Sequence, residues 1–492
     1  MSAASEDLLL GAALIKQIER GESTDPKGDF SKSTNLIKNA VTLIMNAQAQ
    51  GQIPKELNSK IENLEPFIDL FSNSTQLLSE ILGFEKEMTY LILFQDNTHL
   101  RPSGGVIKSF GILKIKDGKV LPFSINDSAT IDNALERSVE APFPIRRYTL
   151  SRELFFKDSG FSPDFLESAE VVTSIYSLAK KEQIDGVIGA DYEFAKNITD
   201  AINGEASSNR GKIYNPALEK DVSRAVANTL ISGVKTKKDI SYLRIAEMIG
   251  KSIKEKHLLF AFNSSSIQNV FSVNGWSGSL WDRREEGGGK INDYIGINEA
   301  NLGGGNINLD ISRSVSKKVR VLDDGEITST VTISYKNSSR KEGTPGTYKN
   351  YMQVLVPKGS EISSIAIDGR EQEIEEAVTN PGIYEAKSFR PPQGIEVYEK
   401  IEGVKSNFGF LINVEGGKTK TVSLTFVLPG KISKSQKDIN YSLKIYKQPG
   451  VSSFPLDLTF DLPKNFEIVG KDKHLDLEIA GDGQVSFLIS QK

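Results

Sequence analysis

The first part of the chain has the apolar spacing of amphipathic helices. Apolar residues recur at three- and four-residue intervals from Leu36 to Ile44 and again from Ile61 to Phe71. This period places them on one face of a helix. Because glycine and proline separate the apolar stretches, two or three antiparallel helices are expected. We predict that residues 1–86 form a helical spacer.

The pattern changes at Met88, where short, continuous apolar runs replace the helical spacing. The runs 90–94 and 184–190 have the composition of strands that are buried on both faces, and 106–115 predicts another strand. A helix is predicted to begin at Ser162-Pro163-Asp164, since a capping serine, a first-turn proline and an acid suit a helix N-terminus. Strands alternating with helices predict one α/β domain over residues 87–311.

Beyond Arg313 the hydrophobic period becomes two. Apolar and polar residues alternate from Ile327 to Tyr335 and from Val422 to Leu428. Strict alternation is typical of strands with one buried face. We therefore predict a β-sandwich domain over residues 312–433.

A turn signal interrupts this alternation near the C-terminus. Pro429-Gly430 and the polar stretch after them indicate a boundary, and alternation resumes from Leu456 to Leu462. A small C-terminal β unit is predicted over residues 434–492. The predicted class is thus multidomain, with a helical segment, a central α/β domain and an all-β region.

Length and composition exclude several classes of protein. A chain of 492 residues exceeds what one hydrophobic core supports. The 60 basic and 64 acidic residues give a net charge of -4, which provides no field to attract nucleic acid. The sequence contains no cysteine, so thiolate catalysis, disulfides and cysteine-bound metals are excluded. The three histidines are too widely spaced to predict a zinc site.

Membrane attachment is not visible within the chain. The early apolar run from Leu8 to Ile15 is much shorter than the roughly 20 residues that span a bilayer. No basic segment precedes it, as one would in a signal peptide. Either the protein is cytoplasmic, or a membrane anchor lies upstream and is absent from this chain.

One polar segment lies between the first two predicted strands. It carries Asp96, Asn97 and Arg101, followed by Gly104-Gly105. Because open α/β sheets usually hold ligands at strand ends, these residues form a candidate binding site. Arg101 would hold a phosphate or carboxylate through two parallel hydrogen bonds, and the glycines would let the backbone come close. The alternative is that Asn97 and Arg101 fasten a tight connection internally.

Other charged residues are weaker candidates for ligand binding. Arg146-Arg147 would suit a phosphate, although clustered charges more often face water. Asp158 either organises the loop before a helix or contacts a ligand. These residues extend the candidate site but do not identify its ligand.

Six separated motifs extend over nearly all of the chain after Tyr90. In chain order they are Asn97-x-x-x-Arg101-Pro102-x-Gly104-Gly105 with the Lys116-Asp117-Gly118-Lys119 turn, Asp158-x-x-x-x-Pro163-Asp164-Phe165, Ile184-Asp185-Gly186-Val187, Gly275-Trp276-x-Gly278, Asn301-Leu302-Gly303-Gly304-Gly305 and Tyr446-Lys447-Gln448-Pro449-Gly450. Together they resemble a widespread bacterial family of unknown function whose members follow a membrane-spanning helix in envelope proteins. The resemblance implies an extracytoplasmic location and an upstream membrane anchor.

The order of elements also resembles the LytR-CpsA-Psr phosphotransferases. The matching segments are 124–127, after the second strand, and 184–187, which runs into a helix ending at 201–204. Those enzymes attach glycopolymers to the cell wall from polyprenyl-pyrophosphate carriers, using arginines, acids and a metal ion. The resemblance implies that Asp127 is a catalytic or metal-binding acid, with Mg²⁺ as the metal, while Arg101, a catalytic candidate, or Arg146 or Arg147 would have to replace the family's arginine in space. Asn126 stands where these enzymes carry an arginine.

Three functions remain open from the sequence. The first is a noncatalytic or weakly catalytic envelope protein that binds an anionic or glycan-linked component, such as cell-wall glycan, around Arg101. The second is a metal-assisted phosphotransferase acting on polyprenyl-pyrophosphate-linked glycans. The third is a noncatalytic surface assembly or adhesion protein whose β domains make the contacts. Whether the protein is an enzyme is left open by these alternatives.

Overall fold

The computed structural model describes the chain in seven stretches: residues 2–53, 75–203, 242–280, 290–339, 346–403, 405–432 and 437–492. They fall into two compact units. The first unit comprises Met1–Gln95, Ile107–Glu136 and Phe165–Gly278, and the second comprises Asp96–Val106, Arg137–Asp164 and Ser279–Lys492. The predicted helix over 61–71 lies outside the described residues.

The first unit contains eight helices among its described residues. They are α1 (Ser2–Arg20), α2 (Pro26–Ala49), α3 (Thr75–Ile81), α4 (Ala129–Asp132), α6 (Phe165–Lys180), α7 (Tyr192–Asn203), α8 (Tyr242–Lys254) and α9 (Ser265–Val273). The predicted N-terminal helical segment is confirmed by α1 and α2, which pack against each other. Asp25 caps α2 by accepting a hydrogen bond from the Gly28 N–H, and Pro26 occupies the first turn. No helix in the described part of the chain is long and apolar enough to cross a bilayer.

A six-stranded mixed sheet lies in the first unit, except for residues 96–101 of its first strand and 104–106 of its second strand, which belong to the second unit. Its strands are β1 (Met88–Arg101), β2 (Gly104–Lys116), β3 (Lys119–Val120), β4 (Ser124–Asp127), β5 (Gly186–Asp191) and β6 (Leu258–Phe262). Their order is β3-β2-β1-β5-β6, with β4 also pairing with β2. β1 and β5 are parallel, from Tyr90 opposite Gly186 to Gln95 opposite Asp191. The predicted buried strands at 90–94 and 184–190 therefore lie side by side.

The second unit contains most of the β structure. Its strands are β7 (Lys290–Asn301), β8 (Ile311–Val321), β9 (Glu326–Asn337), β10 (Tyr348–Pro357), β11 (Glu361–Ile367), β12 (Arg370–Gln372), β13 (Ile374–Glu376), β14 (Ile395–Glu402), β15 (Lys405–Val414), β16 (Thr419–Lys431), β17 (Asp438–Lys447), β18 (Phe454–Asp461), β19 (Phe466–Ile468), β20 (His474–Ile479) and β21 (Gly483–Gln491). Two short helices, α5 (Phe143–Thr149) and α10 (Pro381–Tyr384), also belong to it. The predicted β-rich region is confirmed.

Two sheets share one hydrophobic core in this unit. One has the order β13-β14-β15-β10-β7-β17-β21-β19, and the other has the order β12-β11-β16-β9-β8-β18-β20. Val331 and Ile333, at alternating positions of the predicted sandwich strands, and Leu424 are fully buried in this core. Burying such side chains stabilises the sandwich by roughly 1.5–3 kcal/mol each.

The strands after residue 437 differ from the predicted arrangement. A separate unit was expected over 434–492, but β17 pairs with β7 and β18 pairs with β8, so the last strands complete both sheets of the same sandwich. The period of two that predicts a strand does not specify which sheet the strand joins. The predicted α/β domain over 87–311 differs as well, because residues 96–106, 137–164 and 279–311 belong to the second unit.

Candidate functional site

Arg101 is the central residue of the predicted binding site, and its guanidinium makes only internal contacts among the described residues. Nε and Nη2 both donate to Asp158 Oδ1, at 2.9 and 2.6 Å, while Nη1 donates to the carbonyl oxygens of Leu100 at 3.1 Å and Asn301 at 2.6 Å. The Arg101 and Asp158 side chains are 8% and 12% exposed. The guanidinium donors therefore fasten the second unit rather than face solvent.

The other polar residues of this segment have similar internal roles. Asn97 Nδ2 donates to the carbonyl of Gly450 at 2.9 Å, and Asp96 Oδ1 accepts hydrogen bonds from the N–H and hydroxyl of Thr98. The segment was expected to be a strand-end loop, but β1 continues to Arg101. Asn97 is thus held by another part of the second unit, whereas Asp96 is held by a neighbour in its own segment.

Glycines in this region allow backbone segments to pack closely. A Cβ on Gly105 would lie 2.2 Å from the Asp96 carbonyl oxygen, and one on Gly450 would lie 2.4 Å from the carbonyl oxygen of Gly104. Gly104 and Gly450 also have φ angles of 133° and 78°. The predicted close approach is thus made by the protein's own backbone.

Gln448, which lies in the last of the sequence motifs, contacts the first motif through its side-chain amide. Nε2 donates to the carbonyls of Arg101 at 3.1 Å and Glu299 at 2.8 Å, and Oε1 accepts from the Glu299 N–H at 2.9 Å. Asn298 adds a hydrogen bond from Nδ2 to the carbonyl of Pro102 at 3.0 Å. Together with the Asn97–Gly450, Arg101–Asp158 and Arg101–Asn301 hydrogen bonds, the contact between Gln448 and Arg101 joins four motifs that are far apart in the sequence, and we call this network the motif lock.

Arg146 and Arg147 are paired with acids in the second unit. Arg146 Nε donates to Glu385 at 2.6 Å, and this hydrogen bond raises the pKa of Arg146 and lowers that of Glu385. Arg147 Nη2 donates to Glu396 at 2.8 Å, and its guanidinium carbon lies 4.8 Å from the ring centre of Phe389. Both arginines were candidates for binding a phosphate, and both instead have partners within the protein.

Asp127 lies at the end of β4 in the first unit, whereas Arg101 belongs to the second. Its Oδ1 accepts a hydrogen bond from the Ala129 N–H at 2.9 Å, at the start of α4. This contact is typical of an acid that stabilises a helix start. The role of Asp127 in metal binding stays a prediction.

Asp457, His474 and Asp476 are the one group of described residues whose potential ligand atoms approach closely enough to hold a metal ion, lying within 4.8 Å of one another. They occupy the paired strands β18 and β20. His474 Nδ1 is 3.5 Å from Asp457 and Nε2 is 3.3 Å from Asp476. All three side chains are well exposed, and the histidine bridging two carboxylates also fits a surface ion-pair cluster.

A buried Asp–His pair was missed by the sequence reasoning. Asp191 ends β5, and its Oδ2 lies 2.5 Å from Nδ1 of His257, with both side chains no more than 5% exposed. Asp191 Oδ1 also accepts from the Phe194 N–H at the start of α7. The sequence did contain a signal for this pair. Asp191 is the polar residue immediately after the apolar run 184–190, and ligand sites of α/β sheets often lie at strand ends.

A groove in the first unit forms an open concave surface, with a volume of about 820 Å³. One wall is a face of α6, and the other is formed by β5, β6 and the start of α9. Its lining residues are Leu166, Ala169, Glu170, Thr173, Ser174, Ser177, Leu178, Val187, Ala261, Phe262, Asn263 and Gln268. This volume is typical of small-molecule sites, which range from roughly 300 to 1,000 Å³. None of the side chains that form it was a sequence-predicted candidate.

The groove combines hydroxyl, amide and carboxylate groups with an apolar floor. Thr173 and Ser174 have hydroxyls without hydrogen-bond partners among the described residues. Asn263 is held in place, since its Nδ2 donates to the Ile184 carbonyl at 2.5 Å. Gln268 is also fixed, accepting from the Phe262 N–H at 2.7 Å. The arrangement offers both donors and acceptors on one ordered surface.

Residues 85–221 match the model of a family described as a protein of unknown function, DUF4012. The matched stretch includes the signature from Asn97 to Gly105 and reaches beyond α7. It covers less than half of the chain and assigns no activity. No curated protein matches the sequence.

Solved structures show only remote likeness to the chain. A putative nutrient binding protein from Legionella pneumophila is 8% identical over 37% of this chain and 67% of that chain, with a TM-score of 0.22. An M1 zinc metallopeptidase from Deinococcus radiodurans is 7% identical over 37% of this chain and 38% of that chain, with a TM-score of 0.13. Neither similarity carries a functional argument.

Proposed function

We propose that this protein is an extracytoplasmic cell-envelope protein that binds a glycan in the groove between α6 and β6. The envelope location is supported by the resemblance of its motifs to an envelope family. The binding role is supported by a groove large enough to receive a sugar chain. No catalytic step forms part of this proposal.

The polar lining of the groove is the observation that carries the proposal. Glu170, Thr173 and Ser174 lie on one face of α6, because residues three and four apart are neighbours on a helix. Their carboxylate and hydroxyl groups suit the hydroxyl groups of a sugar ring, which both donate and accept hydrogen bonds. Leu178, which is 64% exposed, supplies apolar surface for the ring's C–H groups.

The charge of the groove favours a neutral part of the ligand. Neither lysine nor arginine occurs among the described residues that line it, and Glu170 contributes a negative charge. A phosphate there would be opposed by that carboxylate and would lack a guanidinium or ammonium partner. The proposed ligand is therefore the sugar portion of an envelope glycan rather than its phosphate or pyrophosphate linkage.

The phosphotransferase and adhesion alternatives have less support. Asp127 stabilises the start of α4, and Arg101, Arg146 and Arg147 already pair with acids. In each of these arginines, donors of the guanidinium already bind a carboxylate of the second unit. The adhesion alternative stays a prediction.

A groove-filling substitution tests the proposal. Ser174 is exposed on α6 and lines the groove, whereas Val171 is 38% exposed on the same helix and does not line it. The binding of neutral and anionic cell-wall glycan fragments to wild type would first be surveyed on an array. Binding of a positive fragment would then be measured by calorimetry for wild type, Ser174→Trp and Val171→Trp.

The proposal predicts that Ser174→Trp abolishes binding while Val171→Trp binds like wild type. Circular dichroism would establish that both variants are folded. Failure of wild type to bind any fragment would contradict the proposal. Equal binding by both tryptophan variants would contradict the location of the site.

A further inference from the structure

A lysine occupies a core position in the β-sandwich of the second unit. Along β8 the inward positions are Val315, Lys317, Val319 and Val321, and all four are buried. The side chain of Lys317 has no solvent exposure. A lysine at such a position is costly unless it is paired or neutral.

The partner of Lys317 comes from the opposite sheet. Lys317 Nζ lies 2.9 Å from Oδ2 of Asp293 on β7, and the Asp293 side chain is also fully buried. Nζ donates a hydrogen bond to Ser329 Oγ at 2.5 Å. The amine and the carboxyl group are therefore held in contact across the core of the sandwich.

Each oxygen of Asp293 has a hydrogen-bond donor of its own. The Tyr294 N–H donates to Oδ1 at 2.6 Å, and the hydroxyl of Tyr441 donates to Oδ2. Burial raises the pKa of Tyr441, so its phenol stays protonated and remains a donor. Both oxygens are therefore polarised by groups that retain their protons.

The surroundings favour the neutral form of the amine. Burial lowers the pKa of Lys317, and the coulombic effect of Asp293 opposes this shift. The ring of Phe426 lies 5.1 Å from Nζ and adds apolar surface to the site. In such a site a proton passing from the ammonium to the carboxylate removes two buried charges together.

We propose that Lys317 and Asp293 are joined by an isopeptide bond that forms within the folded sandwich. After proton transfer the pair consists of an amine and a carboxylic acid in contact. The proximity of such groups replaces a bimolecular encounter with an intramolecular step. The linkage would tie β7 of one sheet to β8 of the other.

The reaction balances without a cofactor. The Lys317 amine attacks the Asp293 carboxyl carbon, and Oδ1 becomes the oxyanion, which the Tyr294 N–H stabilises. A proton from the nitrogen passes to the Oδ2 hydroxyl, and that oxygen leaves as water while the Tyr441 hydroxyl donates to it. One C–N bond forms, one C–O bond breaks, and no atom is oxidised or reduced.

The cross-link would give this chain a covalent connection between two strands. A disulfide cannot provide such a connection, because the sequence contains no cysteine. It would join the sheets at the positions where an unlinked ion pair would be most costly to desolvate. The proposal concerns the second unit and is independent of glycan binding in the first.

Intact mass spectrometry of the full chain under denaturing conditions tests the proposal. The wild-type mass should be lower than the calculated mass by one water molecule. Lys317→Met and Lys317→Arg should have their full calculated masses, because neither side chain supplies a nucleophilic amine. A tryptic digest of wild type should contain a branched peptide that joins β7 to β8, with no cleavage after Lys317.

Two results would overturn the proposal. A wild-type mass equal to the calculated value, after prolonged incubation of the folded protein, would show that the pair is only an ion pair. A water loss that persists in Lys317→Met would place the dehydration at another site. The wild-type digest remains decisive even if neither variant folds, because the branched peptide is either present or absent.

Discussion

Arg101 and Asp158 form a buried ion pair in which Nη2 lies 2.6 Å from Oδ1, although 57 positions separate the two residues in the chain. Both belong to motifs that resemble those of an envelope family. Their pairing indicates that these residue types are required by the architecture of the second unit. The residues whose types suggest a ligand site in the sequence therefore stabilise the fold of the second unit.

Removal of the Arg101 guanidinium should strongly destabilise the protein. Arg101→Ala would leave the Asp158 carboxylate buried without its partner and the Asn301 carbonyl without its donor. We expect the free energy of unfolding to fall by about 3–5 kcal/mol. Urea denaturation followed by tryptophan fluorescence and circular dichroism would measure this change.

Arg152 provides the control for that substitution. It is 73% exposed and pairs with Glu385, so Arg152→Ala should cause a much smaller loss of stability. Equal losses for the two variants would show that the Arg101 pair has no special structural role.

Steric crowding at Gly450 should make alanine costly there. Gly450 and Gly470 have similar φ angles of 78° and 69°, so alanine at either position adopts an unfavourable backbone conformation. Only at Gly450 would the new Cβ also meet the Gly104 carbonyl oxygen, at 2.4 Å, since Gly470 has nothing within 4 Å. We expect Gly450→Ala to lose about 1–3 kcal/mol more than Gly470→Ala. Thermal and urea unfolding of the two variants would reveal the difference, and identical stabilities would argue against close packing in the motif lock.

The stability of the first unit should depend on the ionisation of Glu182. The pKa of Glu182 is lowered from its usual 4.5, chiefly by the hydrogen bond from Lys114, with a smaller contribution from Tyr176. The pKa of Lys114 is correspondingly raised. A carboxyl group whose pKa is lowered by folding stabilises the protein above pH 4.5, and the contribution is lost as the pH falls through the folded-state pKa.

Glu182→Gln should therefore be less stable than wild type at neutral pH, and the difference should shrink as the pH falls below 4.5. Urea denaturation across this pH range would test whether the stability difference shrinks as predicted. Glu136→Gln is the control, because Glu136 is 86% exposed and lies 3.8 Å from Lys181. A constant difference between wild type and Glu182→Gln at every pH would contradict the assignment.

Salt should have little effect on glycan binding if the groove receives a neutral sugar. The lining contains the Glu170 carboxylate and no basic residue among the described positions. We expect affinity to change by no more than about twofold between low and high salt, because screening acts on charged pairs. Calorimetric titrations at several ionic strengths would measure it. A steep loss of affinity with salt would indicate an anionic ligand instead.

The sequence predicted the elements better than their assembly. Alternation from Ile327 to Tyr335 correctly indicated strands with a buried face, because that pattern depends on local geometry alone. The pairing of β17 with β7 was not predictable from periodicity, since it depends on tertiary packing. The polar residues near the end of β1 were expected to form a loop. A local pattern does not show the distant hydrogen-bond partners that allow them to continue the strand.

The candidate site shows the same difference between local patterns, which the sequence reveals, and tertiary contacts, which it does not. Arg101 and Asn97 stood out in the sequence as polar residues of a motif, but sequence alone left ligand binding and internal fastening as alternatives. The groove was missed because its polar residues lie on the exposed side of α6, where serine and threonine are unremarkable. Its chemistry becomes apparent only when β6 and α9 supply the opposite wall.

The most direct test compares glycan affinity in the Thr173→Val/Ser174→Ala double variant and in Arg101→Lys by calorimetry, at a temperature where both are folded. Loss of two hydroxyl partners in the groove should weaken binding by about tenfold. Arg101→Lys should bind like wild type, since the guanidinium belongs to the motif lock. Undiminished binding by the double variant together with loss of binding by Arg101→Lys would contradict the account.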